Sequence, residues 1–460
     1  MRNLKRALSL ALAAIMLIGM MVVSASAVSY NDLTDKDQIV NKDAVSMLVS
    51  LGIIEGKPDG SYGPTENVDR AQMAKMLSVI MNKGVDNSAL YQSVNSGLVD
   101  VNTNWAKGHI NYCYTTGIIA GRGNGKFDPS ATVTALEAAK MLLVAVGYDP
   151  KIEGFEGADW AINVSVRADE QGIFEGFTKD LSAPLNRDDA ALLIYNALDV
   201  EMIQSYTTNN YPIAYSDHRT ILADKYGVIK VQGVVVANEW ASLASDDGDA
   251  ALKEGKTTIY NGEGIFSTTG NTTVSKEDAS LKTQTFNVST PVDMLGKTVN
   301  LYIKKTTILA DSTVYGDPVV SDVNTVVTTG ETVLYSGAKD PQVDYDKLLG
   351  ENGLTDKDAK YFWNYNSGKY IPNTTEKYGD KTANVKGATL TIIDNNGDGE
   401  VDYVLSVEKA LADITSVNSK KETVTVRTLG TLDNKDVVGY EDMAKEDVVQ
   451  IGRASCRERV

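Results

Sequence analysis

The stretch GIIEGKPDGSYGPTENVDRAQMAKML, from Gly52 to Leu77, sets the organisation of this chain. It has the pattern of a helix end, a loop rich in glycine and proline, and the start of a second helix. The pattern returns as GIIAGRGNGKFDPSATVTALEAAKML from Gly117 to Leu142 and as GIFEGFTKDLSAPLNRDDAALLI from Gly172 to Ile194. Three copies in order predict a repeated helix–loop–helix unit.

Each copy carries its own signals for ending and starting a helix. Gly52, Gly117 and Gly172 stand where a helix would end in a left-handed residue, a conformation that glycine adopts at little cost. After the loop, an N-cap residue and a polar partner three residues later predict a capping box. These pairs are Asp69 with Gln72, Thr134 with Glu137 and Asn186 with Asp189. One unit cannot bury its apolar face alone, so we expect a bundle with pseudo-threefold symmetry.

These motifs resemble the S-layer homology (SLH) family, and the resemblance covers residues 28–200. Besides the glycine turn and loop, the family has a helix-cap motif of the I-T-R-A-E type, a leading F-x-D and a W-A pair. The matching residues are 68–72, 133–137 and 185–189 for the cap, 30–32 and 98–100 for the F-x-D, and 105–106 and 160–161 for W-A. The resemblance implies repeats at 28–84, 98–148 and 155–200.

The resemblance also implies a ligand. In this family, grooves between repeats bind secondary cell-wall polysaccharide that typically carries pyruvate ketals. The arginine of the cap motif is Arg70 in the first copy and Arg187 in the third, whereas the second copy has Ala135. A guanidinium can grip a carboxylate in bidentate fashion, and a helix N-terminus also favours an anion. The alternative is an arginine that bridges repeats through an aspartate or glutamate.

Four further residues are candidates for contact with the polysaccharide. Asp32 and Asp100 match the leading aspartate of the family, and either could bond sugar hydroxyls or cap the first helix of its repeat. Capping is the favoured interpretation. Trp105 and Trp160 could stack on a sugar face, although their helical positions beside apolar residues favour a place in the core.

Both ends of the chain are predicted to lie outside the folded domains. Residues 1–27 have the basic start, apolar stretch and Ala-Ser-Ala site of a cleaved secretory signal peptide. Residues 451–460, IGRASCRERV, correspond to a translated sequencing adapter, and we interpret them as an artefact. We therefore expect the natural chain to continue beyond Gln450.

Charge and cysteine content narrow the choice of partners. The formal net charge is −17. Without the three basic residues of segment 1–27 and the net +2 of segment 451–460, it becomes −22. This balance argues against nucleic acid and anionic membranes as partners. Cys113 alone gives no disulfide framework, and His109 and His218 have no metal-ligand spacing.

Composition shifts after the repeats. Residues 201–226 are polar and predict a linker. From Gly227 onward, β-branched runs separated by Gly, Asn and Asp turns predict strands. We expect two β-rich modules, at residues 227–340 and 356–450, with a short helix near their boundary. The predicted fold class is therefore multidomain, with an all-α repeat bundle followed by a mainly-β region whose topology stays open.

The second β-rich module contains a candidate metal loop. Oxygen-bearing residues alternate as in the start of an EF-hand loop, with a glycine at the sixth position. They are Asp394, Asn396, Asp398, Glu400 (through its backbone carbonyl) and Asp402. Because strands flank the loop and the bidentate Glu is missing, the choice lies between a weak Ca²⁺ site and a tight hairpin.

These observations predict a secreted surface protein of a Gram-positive-type bacterium, anchored noncovalently to the cell wall and not itself an enzyme. Its partners would be the secondary polysaccharide and other surface-layer proteins. The alternative is a wall-anchored carbohydrate-active enzyme, or an adhesin, whose active part lies in the β region or beyond Gln450.

Overall fold

The computed structural model describes residues 30–243, 251–262, 265, 282–304, 312–329, 345–363, 366–367, 388–427, 430–433, 443–445 and 448–452. The signal-peptide segment, and the last residues of the adapter segment, lie outside these ranges. The chain forms two compact units, one ending at Tyr226 apart from residues 217–219, which join the second. No helix within the described ranges is long and apolar enough to cross a membrane.

The helices of the first unit come in pairs, one pair for each copy of the repeat. They are α1 (Lys42–Ser50) and α2 (Arg70–Met81), α3 (Lys107–Thr115) and α4 (Ala135–Val146), and α5 (Trp160–Glu170) and α6 (Arg187–Leu198). The first helix of each copy packs on the second helix of the copy before it, in the cyclic order α2 with α3, α4 with α5, and α6 with α1. The predicted helical bundle is confirmed.

A closed ring of three backbone hydrogen bonds joins the copies just before α2, α4 and α6. The amide of Val68 donates to the carbonyl of Leu185 (2.8 Å), and the amide of Leu185 donates to the carbonyl of Val133 (2.8 Å). The amide of Val133 donates back to the carbonyl of Val68 (2.9 Å) and closes the ring. All three residues are buried. This ring gives the unit its pseudo-threefold arrangement, because each copy uses the same backbone groups toward its neighbours.

The predicted turn glycines and N-caps are confirmed in all three copies, and the predicted capping box is complete in the first two. Gly52, Gly117 and Gly172 have φ values of 68°, 79° and 70°. Asp69 and Thr134 form complete capping boxes. Asn186 accepts a hydrogen bond from the amide three residues on, without the reciprocal bond.

Residues 201–226 do more than link two domains. They contain a hairpin of β1 (Ile203–Tyr206) and β2 (Pro212–Ala214) and a π-helical turn at Leu222–Tyr226. The Tyr206 hydroxyl donates to Glu153 (3.0 Å) and accepts from the amide of Asp149 (2.9 Å). The polar composition that suggested a linker therefore reflects a hairpin that bonds to the segment between the second and third repeats.

The second unit is built from two sheets and a helix. The first sheet contains β3 (Val228–Asn238), β4 (Thr257–Tyr260), β5 (Thr283–Phe286), β6 (Thr298–Lys304) and β7 (Thr313–Val320), antiparallel in the order β5-β4-β3-β6-β7. The second contains β8 (Thr325–Thr328), β9 (Lys360–Trp363), β10 (Asn366–Ser367), β11 (Ala388–Asp394) and β12 (Tyr403–Asn418) in the order β10-β9-β12-β11-β8, with α7 (Tyr345–Glu351) preceding β9. Long β12 also pairs with β13 (Thr423–Val426) and β15 (Val448–Gly452), and β13 pairs with β14 (Gly430–Asp433). Strand β15 thus extends into the segment assigned to the adapter.

The described strands do not divide into the two predicted modules. Strand β8 precedes the proposed boundary and pairs with β11, which follows it. One apolar core contains Val231 and Leu301 of the first sheet together with Ile393 and Leu405 of the second. The opposite face of the second sheet packs under α7. The predicted division was wrong because hydrogen bonding and packing both cross it.

Candidate binding grooves

Groove 1 lies at the glycine turn of the first copy and draws side chains from all three copies. It encloses about 230 Å³. The first copy supplies the turn and one face of α2, the second supplies Trp105 and the third supplies Arg187. Lys57 and Lys75, both half-buried, add two more basic groups. Lys57 contacts Glu66, and Lys75 lies 3.3 Å from a Glu55 carboxylate oxygen.

Groove 2 repeats this plan one copy further along. It encloses about 410 Å³ at the glycine turn of the second copy. Arg70 comes from the first copy, Arg122 and Lys140 from the second, and Trp160 from the third. Arg122 donates to Glu137 (2.6 Å), and Lys140 donates to a backbone carbonyl and lies 5.7 Å from the Trp160 ring centre. Each groove therefore combines three basic side chains with one tryptophan.

Arg70 is held at the wall of groove 2 by neutral groups. Only 5% of the residue is exposed. Its guanidinium donates to the carbonyls of Phe127 (2.8 Å) and Ala120 (2.9 Å) and lies 4.4 Å from the Phe127 ring centre. Burial, and then the nearby Arg122, lower the pKa of Arg70 to about 10. The side chain stays charged at neutral pH, and an anion in the groove would relieve its desolvation.

Arg187 has the same arrangement in groove 1, with more exposure. Its Nε donates to the carbonyl of Tyr62 (2.8 Å), and its guanidinium lies 4.8 Å from the Tyr62 ring centre. The Tyr62 hydroxyl donates back to the Arg187 carbonyl (2.7 Å). Within the described residues, both arginines bridge repeats through carbonyls and rings and not through carboxylates. The alternative of an arginine paired with aspartate or glutamate is wrong, because among the described residues neither guanidinium forms a salt bridge with an acidic side chain.

The two tryptophans lie at groove edges. Trp105 is 58% exposed, so the favoured prediction of a core position was wrong for this residue. Trp160 is half-buried. Both begin or precede the first helix of a copy, where the ring meets the turn of the preceding copy. A flat ring beside basic groups is an arrangement suited to a charged sugar.

Asp100 supports the loop of its own copy. Its carboxylate accepts hydrogen bonds from the amides of Phe127 (2.9 Å) and Asp128 (2.8 Å). Burial acts to raise the pKa of Asp100, but these hydrogen bonds outweigh it and lower the pKa below its ordinary value. Asp100 thus holds in place Phe127, whose carbonyl and ring contact Arg70. It does not cap a helix, which was the interpretation that we had favoured.

The equivalent residue in the first copy is Asp35, not the predicted Asp32. Asp35 accepts hydrogen bonds from the amides of Tyr62 (2.7 Å) and Gly63 (2.8 Å), the loop positions that match those bound by Asp100. Asp32 is exposed in a short 3-10 turn. The sequence spacing agrees with this assignment, because Asp35 precedes Gly52 by the same number of residues as Asp100 precedes Gly117.

The third position of the threefold arrangement, at the glycine turn of the third copy, lacks this chemistry. Ala135 stands where the other copies place the groove arginine. Phe177 and Leu192 replace the two other basic residues, and Val40, 82% exposed, replaces the tryptophan. Lys179 stands where the other loops have Tyr62 or Phe127, and it contacts Asp189 (2.5 Å).

Sequence reasoning missed the second and third basic residues of each groove. These are Lys57 and Lys75 in groove 1 and Arg122 and Lys140 in groove 2. Aligning the copies on Gly52 and Gly117 pairs Lys57 with Arg122 and Lys75 with Lys140, so the signal was present. The same alignment could not show which tryptophan meets which arginine.

The candidate metal residues form the turn between β11 and β12. Asp394 is buried and accepts hydrogen bonds from the amides of Asn396, Gly397 and Gly399. Asp402 accepts one from Asn395 (2.8 Å). Asp398 accepts one from Glu400, which contacts Lys357. In the part of the chain that the structure describes, no group of three or more His, Cys, Asp or Glu side chains is arranged to hold a metal ion.

Comparison with known proteins agrees with this architecture. The sequence profile of the S-layer homology domain matches residues 29–74 and 99–139, within the first two copies. The chain is 29% identical to a cell surface protein of Thermoanaerobacter kivui over 58% of its length and 32% of that protein. It is 34% identical to an S-layer protein of Bacillus licheniformis over 25% of its length and 12% of that protein. It is 28% identical to an exoglucanase of Acetivibrio thermocellus over 38% of its length and 17% of that protein.

The chain is therefore a surface protein that carries S-layer homology domains and belongs at the cell wall or S-layer. The chain spans about a third or less of the length of these curated relatives.

Proposed function

We propose that grooves 1 and 2 bind an anionic cell-wall polysaccharide bearing pyruvate ketals and so attach the chain noncovalently. The observation that carries the proposal is the charge of Arg70 and Arg187, neither of which forms a salt bridge with a carboxylate in the described part of the chain. Polysaccharide carboxylates would supply that partner. The two grooves would act together, because two linked sites on one polymer bind more tightly than either alone.

Each groove side chain has a chemical role in this proposal. The buried arginine and the two other cations would bind the ketal carboxylate, and the tryptophan ring would cover a sugar face. These local positive sites allow a chain with net charge −17 to hold an anionic polymer. At the third position, Ala135, Phe177 and Leu192 offer none of the three cations, so we propose two working grooves.

The test is sedimentation of the full chain with purified cell walls, before and after acid treatment that strips the secondary polymer. Wild type should sediment only with unstripped walls. The variant Lys75→Ala/Trp105→Ala/Lys140→Ala/Trp160→Ala should lose binding, by roughly a hundredfold or more if both grooves contribute. Trp105 is exposed and the other three side chains are half-buried at the groove surface, so the fold should survive.

A matched control uses the third position. Val40→Ala/Leu192→Ala changes the residues that correspond to a groove tryptophan and lysine and should sediment like wild type. Equal binding by the quadruple variant and this control would contradict the groove assignment. Undiminished binding to stripped walls would instead contradict the polysaccharide as ligand.

An enzymatic role is the second candidate, favoured by the similarity to a relative named as an exoglucanase. We propose that the chain itself is not catalytic, because it is similar to only 17% of that enzyme's length. Hydrolysis of purified wall polysaccharide by the full chain, measured as released reducing ends, would contradict this proposal.

We also propose that the turn between β11 and β12 binds Ca²⁺ weakly. Burial, followed by the charges of Asp394 and Asp398, raises the pKa of Asp402, and a cation would relieve this crowding. The exposed Asp398 carboxylate would turn toward Asp394. Millimolar Ca²⁺ should then raise the melting temperature of chelator-treated wild type, and Asp398→Ala should abolish the rise. An identical melting temperature with and without Ca²⁺ would exclude the site.

A further inference from the structure

His109 is a buried titratable side chain between the first two copies. It lies on α3 and is 4% exposed. Its Nδ1 is 2.6 Å from the Ser78 hydroxyl on α2, and its Nε2 is 3.7 Å from a carboxylate oxygen of Asp86, which follows α2. The anchoring function proposed above makes no use of this ring.

The imidazole contacts one residue of groove 1 directly and is linked to a second through Ser78. The Trp105 ring, four residues earlier and just before α3, meets it edge-on at 6.3 Å between centres and 65° between planes. The Ser78 hydroxyl that meets His109 also lies 2.9 Å from the backbone carbonyl of Lys75. Trp105 and Lys75 both line groove 1. A change at His109 therefore reaches the aromatic edge and one cation of this groove.

Groove 2 has no such ring beneath it. Leu143 and Val164 occupy the positions that correspond to Ser78 and His109, and both are fully buried and apolar. The corresponding groove tryptophan is Trp160. The two grooves thus share an arginine, a lysine and a tryptophan. They differ in the ring beneath them and at the lining position that is Gln72 in groove 1 and Glu137 in groove 2. The His109→Gln variant of groove 1 is therefore the control for the ring itself.

Protonation of His109 would redirect the Ser78 hydroxyl. A hydroxyl has one proton to donate. Beside a neutral ring with a bare Nδ1, it can donate to that nitrogen. When Nδ1 is protonated, the ring donates to the Ser78 oxygen and the hydroxyl donates to the Lys75 carbonyl. The charged groups facing the ring are Asp86, which attracts the imidazolium, and Lys75, which repels it.

We propose that His109 is a positioning residue that makes groove 1, and not groove 2, bind its anionic ligand more tightly in acid. The inference rests on the proposed function. An imidazolium next to Trp105 and near Lys75 adds positive charge beside groove 1. Its Coulomb attraction to a carboxylate bound in the groove falls only as the inverse of the distance between the two charges. By reciprocity, a bound anion favours protonation of His109.

The surroundings of His109 set the pH at which its ring becomes charged. Burial, and to a smaller extent Lys75, lower the pKa of His109, while Asp86 opposes them. In the free protein the ring therefore charges on the acidic side of its ordinary value of about 6.5. The carboxylate of a pyruvate ketal stays ionised there.

The first test needs no ligand. The chain contains two histidines, so ¹³C-histidine labelling of the full protein gives two ring signals, and the one missing in His109→Gln identifies His109. Its titration should have a midpoint below about 6.5. Asp86→Asn should move the midpoint to lower pH, because it removes the attracting charge. A ring that does not titrate above pH 4, or a midpoint indifferent to Asp86→Asn, would overturn the proposal.

The second test compares the grooves by sedimentation with walls between pH 5 and 8. Lys140→Ala/Trp160→Ala leaves groove 1 intact, and Lys75→Ala/Trp105→Ala leaves groove 2 intact. The first variant should bind roughly threefold more tightly at pH 5 than at pH 8. The second should show no such change, and adding His109→Gln to the first should remove it.

The outcomes separate the two proposals. Flat binding by groove 1 while His109 titrates would overturn this inference and leave the anchoring function standing. An equal rise in both grooves would assign the response to the polymer and also overturn it. Absence of binding by either variant at every pH would defeat both proposals. If His109→Gln does not fold, Asp86→Asn added to the first variant replaces it, because the pH response of groove 1 should then move to lower pH; an unchanged response would overturn the inference.

Discussion

Grooves 1 and 2 differ from the third position in side chains, while the backbone arrangement is shared. The ring through Val68, Leu185 and Val133 uses only amides and carbonyls, so it closes whatever the neighbouring side chains are. The groove cations and the tryptophan are free to vary around that ring. The comparison teaches that the symmetry of the repeat and its ligand chemistry are separately encoded.

The change at the third position involves both partners of a contact. In the other two positions an arginine lies over Phe127 or Tyr62. At the third, Ala135 removes the arginine and Lys179 replaces the aromatic ring. Lys179 would repel an arginine at position 135, whereas it tolerates Ala135. The loss of the arginine and the loss of the aromatic ring are therefore compatible with each other.

The largest predicted effect is a loss of unfolding free energy that differs between the two groove arginines, because they differ in burial. Arg70→Ala leaves the carbonyls of Phe127 and Ala120 without a donor and should cost about 3 kcal/mol of unfolding free energy. Arg187→Ala, which is more exposed and loses one such bond, should cost about 1 kcal/mol. Urea unfolding followed by helical circular dichroism measures both. Equal costs would mean that burial of the guanidinium is not what distinguishes them.

A double-mutant cycle should test the exchanged pair at the third position. Ala135→Arg inserts a guanidinium at a buried site near Lys179 and should destabilise the unit by about 2 kcal/mol. With Lys179→Phe present, the arginine gains a ring, and about 1 kcal/mol of that cost should be recovered as coupling energy. The comparison is made by urea unfolding of the four proteins. Additive costs would show that the two positions are independent.

The smallest effect should come from the loop-binding aspartate. Asp100→Asn should cost about 1 kcal/mol at pH 7, because the amides of Phe127 and Asp128 then donate to a neutral acceptor. The lowered pKa of Asp100 means that its contribution is complete above the unfolded pKa and is lost as pH falls through the folded value. The difference between wild type and variant should therefore shrink in acid.

Asp32→Asn is the matched control for this experiment. Asp32 is exposed and stands outside the loop contact that Asp35 makes in the first copy. It should leave stability near the wild-type value at both pH values. A cost for Asp32→Asn as large as that for Asp100→Asn would restore the original register of the aspartate motif.

Local sequence signals predicted the elements well where the physics is local. The turn glycines, the N-caps and strands such as Thr298–Lys304 depend on residues within a few positions of one another. Prediction failed where the outcome depends on contacts between segments that are far apart in the sequence. Asp32 matched a motif that Asp35 fulfils, and β8 crossed a predicted module boundary to pair with β11.

The sequence by itself determined that this chain has three helix–loop–helix copies, where the first helix of each copy ends and the second begins, and that a mainly-β region follows. It also determined that one copy lacks the arginine. Only the tertiary structure decided that Arg187 lines the same groove as Trp105, and Arg70 the same groove as Trp160. It also decided that His109 lies beneath the first groove and not the second. The physical reason is that propensity and capping act within a copy, whereas a groove forms only where the hydrogen-bonded ring brings three copies together.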